Sequence, residues 1–339
     1  MKLSFHENPK LQFGVVFFGF VFLSIIIAVG PATWVMDHNK PLPGMKELTA
    51  QQQAGYDIFV SEGCPYCHTQ QVRPLKEDQP FGRPSAPGDY ALLRPLDFWR
   101  MTPELLGTER TGPDLSNVGN RQSSETWNYI HLYNPRAVVK ASVMQAYPWL
   151  FEIKQNPDSN DTVVPVPKDF APAAGKVVVA RNAKELVAYI LSRKQVPIKG
   201  MESGAKSSSQ QSSSGAAQSG ASAESQLGNQ VYGSHCSSCH QSNGHGIPST
   251  FPPLKGDPVV TAKDPTRHVQ IVLFGLQGKT INGVKYSATM PSHVNTLSAK
   301  QVAAVVNHER TSWGNNAPTV TVQQVEKIIK EGKPKGLSQ

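Results

Sequence analysis

Cysteine is scarce in this sequence: there are four in 339 residues, Cys64, Cys67, Cys236 and Cys239, and all of them fall in two Cys-x-x-Cys-His runs. If both pairs hold a prosthetic group, no thiol is left for a disulfide, and disulfides say nothing about the compartment. Acidic residues are outnumbered, 25 Asp and Glu against 33 Lys and Arg, which leaves a formal charge of +8 and points to an anionic partner surface. No basic run is interleaved with aromatics in the manner that grips nucleic acid, so a nucleic-acid partner is excluded. The sequence also lacks a phosphate-cradling glycine loop after a strand, a nucleophile elbow, and a His-rich set with copper-ligand spacing on membrane helices. It therefore carries no catalytic constellation of its own.

Long apolar runs are lacking too, with one exception. Leu11 to Val29 is nineteen residues without a charge, close to the roughly 20 needed to cross a bilayer as a helix. A cleaved signal peptide is the competing reading, because Ala28-Val29-Gly30 resembles a small-residue cleavage site. The run exceeds the roughly 7 to 15 residues of a signal h-region, which favours an uncleaved anchor over residues 1–36. Lys2 and Lys10 precede it, so the N-terminus is expected in the cytoplasm and everything after Trp34 on the outer side.

What is present is the pair Cys64-Pro65-Tyr66-Cys67-His68 and Cys236-Ser237-Ser238-Cys239-His240. Two thiols three apart can form two thioether bonds to a haem, and the following histidine can present an imidazole to its iron. Two c-type haems are therefore expected, with His68 and His240 as iron ligands. Zinc also takes Cys and His, but each motif offers only two thiolates and an adjacent histidine. His235 and His245 keep that alternative open in the second half. A thioredoxin-like redox pair lacks its βαβ surroundings.

The order of elements repeats. In the first half a helix from about Lys46 to Ser61 leads into the motif, followed by a long Pro-, Gly- and Arg-rich stretch from Gln70 to Leu115. A Ser-capped helix from Ser124 to about Tyr133 comes next, then a Met144 loop and a closing helix from Asn182 to about Arg193. Residues 152–180 look irregular, with a Val-rich strand or turn near 177–179. In the second half come a lead-in helix with Gly228 and Tyr232, the motif and Phe251-Pro252-Pro253-Leu254. A helix from Thr266 to Phe274, a Met290 loop and a helix from Ser298 to about Arg310 complete the repeat. An amphipathic helix, Thr321 to Glu331, ends at Gly332. Between the halves, residues 201–226 are Ser-, Gly-, Ala- and Gln-rich and are expected to form a disordered linker, spanning roughly 25 to 30 Å as a coil. This gives a mainly α chain: an anchor at 1–36, a first domain at 37–200, the linker, and a second domain at 227–339.

A sixth iron ligand separates electron transfer from gas binding, and methionine suits the former. Met144 and Met290 each stand in a Pro-flanked loop between the two helices after a motif, and Met101 is the rival for the first iron. The ligand histidine needs an acceptor for its other ring nitrogen, and a backbone carbonyl at Pro113 or Pro253 can supply it. Arg73, Arg110, Arg121 and Arg136 are candidates to neutralise haem propionates.

Several further motifs carry a resemblance. Ser61-Glu62-Gly63 precedes the first motif, and Gln70-Gln71-Val72-Arg73-Pro74 follows it. Arg110-Thr111-Gly112-Pro113-Asp114-Leu115, His131-Leu132-Tyr133-Asn134-Pro135-Arg136 and Met144 with Ala146-Tyr147-Pro148-Trp149-Leu150 come after these in order. Together with the anchor they resemble the monohaem cytochrome c subunit, subunit II, of cbb(3)-type haem-copper oxidases, over roughly residues 1 to 195. The resemblance implies His68 and Met144 as axial ligands. It also implies docking on a catalytic subunit with haem b and a haem-copper centre, in a complex of the inner membrane that reduces oxygen to water and pumps protons. The chain departs from that pattern in its second half, which looks like a class I cytochrome c domain fused through the linker. Electrons are then expected to pass from a periplasmic donor such as a soluble cytochrome c, through the second haem and the first, to the catalytic subunit. Leu227 to Gln339 carries eleven Lys and Arg against five Asp and Glu, a net of +6 that would steer an acidic donor, and linker mobility would let the domain commute. The electron-delivering subunit of a nitric oxide reductase and a stand-alone membrane-tethered shuttle are the alternatives.

Overall fold

The structure is a computed structural model and describes residues 7–38, 48–86, 89, 107, 109–196, 198, 219–281, 283–286 and 288–337. The apolar run becomes α1 (Pro9–Ser24), a π-helical turn (Ile25–Val29) and α2 (Gly30–His38). Asn8 caps α1 by accepting from the Leu11 amide at 3.2 Å, with Pro9 at the first helical position, where its missing N–H costs nothing. The widened turn lies just before Pro31, whose ring would crowd the carbonyl four residues back in a regular helix. The 26 residues Pro9–Trp34 are apolar enough for a span and cover about 39 Å at 1.5 Å per residue, more than the roughly 30 Å of a bilayer core. No residue of α1 is buried against protein.

The first domain is framed by α3 (Ala50–Ser61) and α6 (Arg181–Ser192), which pack on each other. Thr49 and Gln52 close a capping box at the start of α3, so the helix begins four residues later than the apolar pattern suggested. Between them lie α4 (Val118–Arg121) and α5 (Glu125–Tyr133), and an antiparallel ribbon of β1 (Phe151–Lys154) and β2 (Lys176–Val179), with Phe151 opposite Val179. Phe59, Ile130, Leu150, Leu186 and Tyr189 form the centre of its core.

The second domain repeats the frame. Helix α7 (Ser219–Val231) packs on α10 (Ala299–Thr311), with α8 (Ser237–His240) at the motif and α9 (Thr266–Phe274) and α11 (Val322–Glu331) completing the layer. Its core holds Val269, Leu273, Val302, Val305 and Val325. The helix before the motif crosses a later helix closely in both domains, at α3–α6 and α7–α10. A Cβ on Gly55 would sit 1.9 Å from the Glu185 carbonyl oxygen, and one on Gly228 would sit 2.4 Å from that of Ala304. Glycine is the residue that lets the backbones approach so closely.

Two expectations change. Residues 219–226, assigned to the linker, lie in α7, while 201–218 fall outside the described residues. Each domain also adds a two-stranded ribbon to its helices, the second being β3 (Lys279–Ile281) with β4 (Val284–Tyr286); Asn282-Gly283 between two β-branched residues was its sequence signal. Where it is described, the Gln70–Leu115 stretch is loop with one 3-10 turn, Lys76–Phe81, held in place by side-chain bonds. Asp78 is fully buried and accepts from the backbone N, Nε and Nη2 of Arg73 at 2.7, 3.0 and 3.0 Å, and also from Arg110.

Candidate haem-binding sites

In the first domain a 3-10 turn, Cys64–Tyr66, presents the motif. The amide of His68 donates to the Cys64 carbonyl at 3.0 Å. The strip 109–115 wraps over it, with the amides of Gly112 and Leu115 donating to the carbonyls of Cys67 and Thr69, both at 2.8 Å. His68 Nδ1 lies 2.8 Å from the carbonyl oxygen of Pro113, so the proton belongs on Nδ1 and the Nε2 lone pair is left for a metal. Gly112 permits this approach, since a Cβ there would sit 2.2 Å from His68 Cε1. The wrap is anchored by Asp114, fully buried, whose carboxylate accepts from Thr69 Oγ1 at 2.6 Å and from the amides of Gln71 and Ser116 at 2.8 Å. Met144 is half-buried against the core cluster that contains Cys64, Tyr147 and Leu150. Its loop is pinned to α5 by the Tyr147 amide donating to the Leu132 carbonyl at 2.9 Å. Met101 lies outside the described residues.

In the second domain Cys236, Cys239, His240 and Met290 line one cavity that is partly open to solvent. Met290 is fixed in its wall by paired backbone bonds with Leu276, at 2.8 and 3.2 Å. His240 Nδ1 faces the carbonyl of Pro252 at 2.9 Å. The expectation of Pro253 is thus corrected by one residue. Counting back from the leucine, Pro113 stands two before Leu115 and Pro252 two before Leu254, so the repeat is in register on the leucine rather than on the proline next to it.

The electrostatics fit a haem with carboxylate side groups. Arg121 Nε and the Nδ1 atoms of His235, His268 and His293 are buried without a hydrogen-bond partner among the described residues, and all four residues line the cavity. Buried polar atoms need partners, and haem propionates would supply acceptors. Burial pushes the thiols of Cys64 and Cys239 up to about 12 and that of Cys236 upward, away from the thiolate form that marks a reactive cysteine. His68 and His240 are both held below the usual histidine value by burial, so each imidazole is neutral and fit to ligate. Among the described residues no group of three or more His, Cys, Asp or Glu is arranged to hold a metal ion. His268 Nε2 meets Glu309 Oε2 at 2.8 Å in a buried pair, and Lys279 meets Asp257 at 2.5 Å.

The four candidate arginines separate. Arg73 and Arg110 are engaged by Asp78, which gives Arg73 a role in folding the wrap rather than a free charge for a propionate. Arg136 is exposed. Arg121, tied through Nη2 to the Asp114 carbonyl at 2.6 Å, reaches from the first domain into the second domain's cavity. Gln122 and Ser123 join it there, and Ile247, Phe251 and Ala288 of the second domain are buried in the first domain's cluster. The sequence held no sign of this contact, because surface complementarity between two domains leaves no periodic trace.

Residues 4–211 match the family model described as cytochrome C oxidase, mono-heme subunit/FixO, and residues 225–313 match the cytochrome c model. Among curated proteins, the chain is 42% identical over 108 residues to the cytochrome c subunit of alcohol dehydrogenase (quinone) of Gluconacetobacter polyoxogenes, covering 32% of this chain and 23% of that protein. It is 41% identical over 92 residues to cytochrome c-552 of Thermus thermophilus, 26% of this chain and 69% of that protein. To the cytochrome c subunit of gluconate 2-dehydrogenase of Pantoea cypripedii it is 36% identical over 110 residues, 32% of this chain and 25% of that protein. The chain thus spans about a quarter of the length of the dehydrogenase subunits it matches. Covalently bound haem c is the cofactor that its cytochrome c domains take.

Proposed function

The chain belongs to the family of mono-haem cytochrome c oxidase subunits and is a membrane-associated cytochrome c electron-transfer subunit; from that premise we propose that it relays electrons from a periplasmic donor, through its second and then its first domain, to the catalytic subunit of a haem-copper oxidase. The family match over residues 4–211 is the observation that carries this reading. Haem c supplies a one-electron Fe(III)/Fe(II) couple at each motif.

The chain's own part is to bind and orient. Cys64 and Cys67 would hold the first haem and Cys236 and Cys239 the second, with His68 and Met144, and His240 and Met290, as the residues that would ligate each iron. The carbonyls of Pro113 and Pro252 keep the proton of each ligand histidine on Nδ1, which fixes ring orientation and directs Nε2 to the iron. Helix α1 with its continuation α2 is the uncleaved anchor, with the N-terminus cytoplasmic and both domains periplasmic. The intact mass of the purified subunit tests this, because cleavage after Gly30 would remove the span.

The dehydrogenase relatives favour a second reading, in which the partner is a quinone-linked dehydrogenase. Purification of the complex from native membranes, with metal and cofactor analysis of what accompanies the chain, separates them. A large partner with haem b and copper supports the oxidase. Non-haem iron in its place would mean a nitric oxide reductase, a partner that oxidises alcohols or sugars a dehydrogenase, and no partner at all a tethered shuttle; each of these three overturns the oxidase reading.

A further inference from the structure

The two domains meet at the second haem-attachment loop. Trp127 Nε1 donates to the carbonyl oxygen of Ser238 at 2.9 Å, and Gln122 Nε2 donates to Ser238 Oγ at 2.8 Å. Ser238 stands directly before Cys239, so both donors grip the peptide that carries a haem thiol. On its other face Trp127 is stacked on His131, with ring centroids 4.5 Å apart and planes 12° from parallel. A third bond, Thr250 Oγ1 to the Pro165 carbonyl at 3.0 Å, fixes the orientation of the second domain. The loop that carries Cys239 is therefore joined through Trp127 to His131 of the first domain. Displacing the loop would strand the Trp127 N–H and the Gln122 amide together, since both use the same residue.

We propose that Trp127 and Gln122 are positioning residues for electron transfer between the two centres, clamping the Ser238 loop so that the second domain is docked on the first in one pose rather than searching for it by diffusion. The inference rests on the reading that the second domain feeds the first. With haem c bound at both motifs, one electron would pass from the ferrous second haem to the ferric first, with no proton or bond exchanged; the clamp's own part is to hold the Ser238 loop in one place on the first domain.

The test uses the full-length chain with both haems, comparing the wild type with Trp127→Phe, Ser238→Ala and the double variant. Trp127→Phe keeps a ring on His131 but removes the N–H, and Ser238→Ala removes the hydroxyl acceptor without altering the motif spacing. Pulsed EPR between the two ferric centres should give one narrow distance in the wild type and a broad distribution in the double variant. The rate of electron transfer between centres after photoreduction should fall at least tenfold. A broad distribution in the wild type, or a double variant with unchanged distance and rate, overturns the proposal. Because Ser238→Ala acts from the opposite side of the contact, it stays decisive if Trp127→Phe disturbs the first domain.

Failure of the underlying order of transfer reads out separately. In a full-length chain with Cys236→Ala and Cys239→Ala, the donor would then reduce the first haem at an unchanged rate, while the narrow distance in the wild type would persist. A truncation after Arg193 is a poorer instrument, since Gln195 Nε2 and the Val196 carbonyl bond to Arg83 at 2.9 and 3.0 Å.

Discussion

Asp78 is the residue on which the wrapping strip of the first domain depends. Hydrogen bonds from Arg73 and Arg110 hold its carboxyl well below the usual carboxylate range, against the upward push of its burial. A carboxylate with a folded-state pKa below its unfolded value contributes stability that is present above about pH 4 and is lost as pH falls toward the folded value. Asp78→Asn should therefore destabilise the chain by roughly 1–3 kcal/mol at neutral pH and flatten the acid limb of its stability curve. Guanidinium titrations of variant and wild type at pH 7 and pH 3 check this, and equal pH dependence in the two would refute it. Met290 carries a different prediction. Replacing a methionine ligand by histidine removes the feature that raises the potential, so Met290→His should lower the midpoint of the second haem by something on the order of 0.1–0.3 V, within the roughly 0.8 V that axial ligands span. A redox titration in which that haem is unmoved would show that Met290 is no ligand.

At the scale of elements, the two domains share one device: the helix before the motif crosses a later helix at a glycine, α3 with α6 and α7 with α10. Each crossing is local to its own domain, so its loss should be local too. Gly55→Ala is expected to cost about 1–3 kcal/mol through overpacking and to speed hydrogen exchange in α3 and α6 while α7 and α10 keep their protection. Gly228→Ala should do the reverse. Hydrogen exchange resolved by peptide on the full chain distinguishes the two, and a change shared by both helix pairs would mean that the domains unfold as one unit. The helices themselves were legible in the sequence because their caps and apolar faces are short-range signals. Ser298 with Gln301 and Thr321 with Gln324 form capping boxes, and Thr266–Phe274 falls where the spacing of its apolar residues puts it. The ribbons were harder to see, since three or four residues per strand carry little periodicity.

For the whole molecule, charge and docking work together. The second domain carries the net +6, while its motif loop faces the first domain, so a donor must approach elsewhere on the basic surface. Reduction by an acidic donor protein should slow as ionic strength rises from about 0.01 to 0.15 M, where the Debye length shrinks from about 30 to about 8 Å. Electron transfer within the docked pair should stay constant over the same range, because its contact is made of hydrogen bonds and apolar packing inside one chain. Stopped-flow reduction over a salt series separates the two steps, and equal salt sensitivity would argue against a preformed contact.

The sequence by itself determined the two Cys-x-x-Cys-His motifs, an apolar run long enough to span a membrane and the order of the helices, because each is written in residues close together in the chain. Cys64, Cys67 and His68 must neighbour one another to serve one haem, and so must Cys236, Cys239 and His240. The tertiary structure alone decided which carbonyl orients His240, that Arg73 is engaged by Asp78, and that Arg121 crosses into the second cavity. It alone brought Trp127 and Gln122 to Ser238, 111 and 116 residues away. Contacts between residues so far apart follow from the shapes of two folded surfaces, and no local pattern in the chain encodes them.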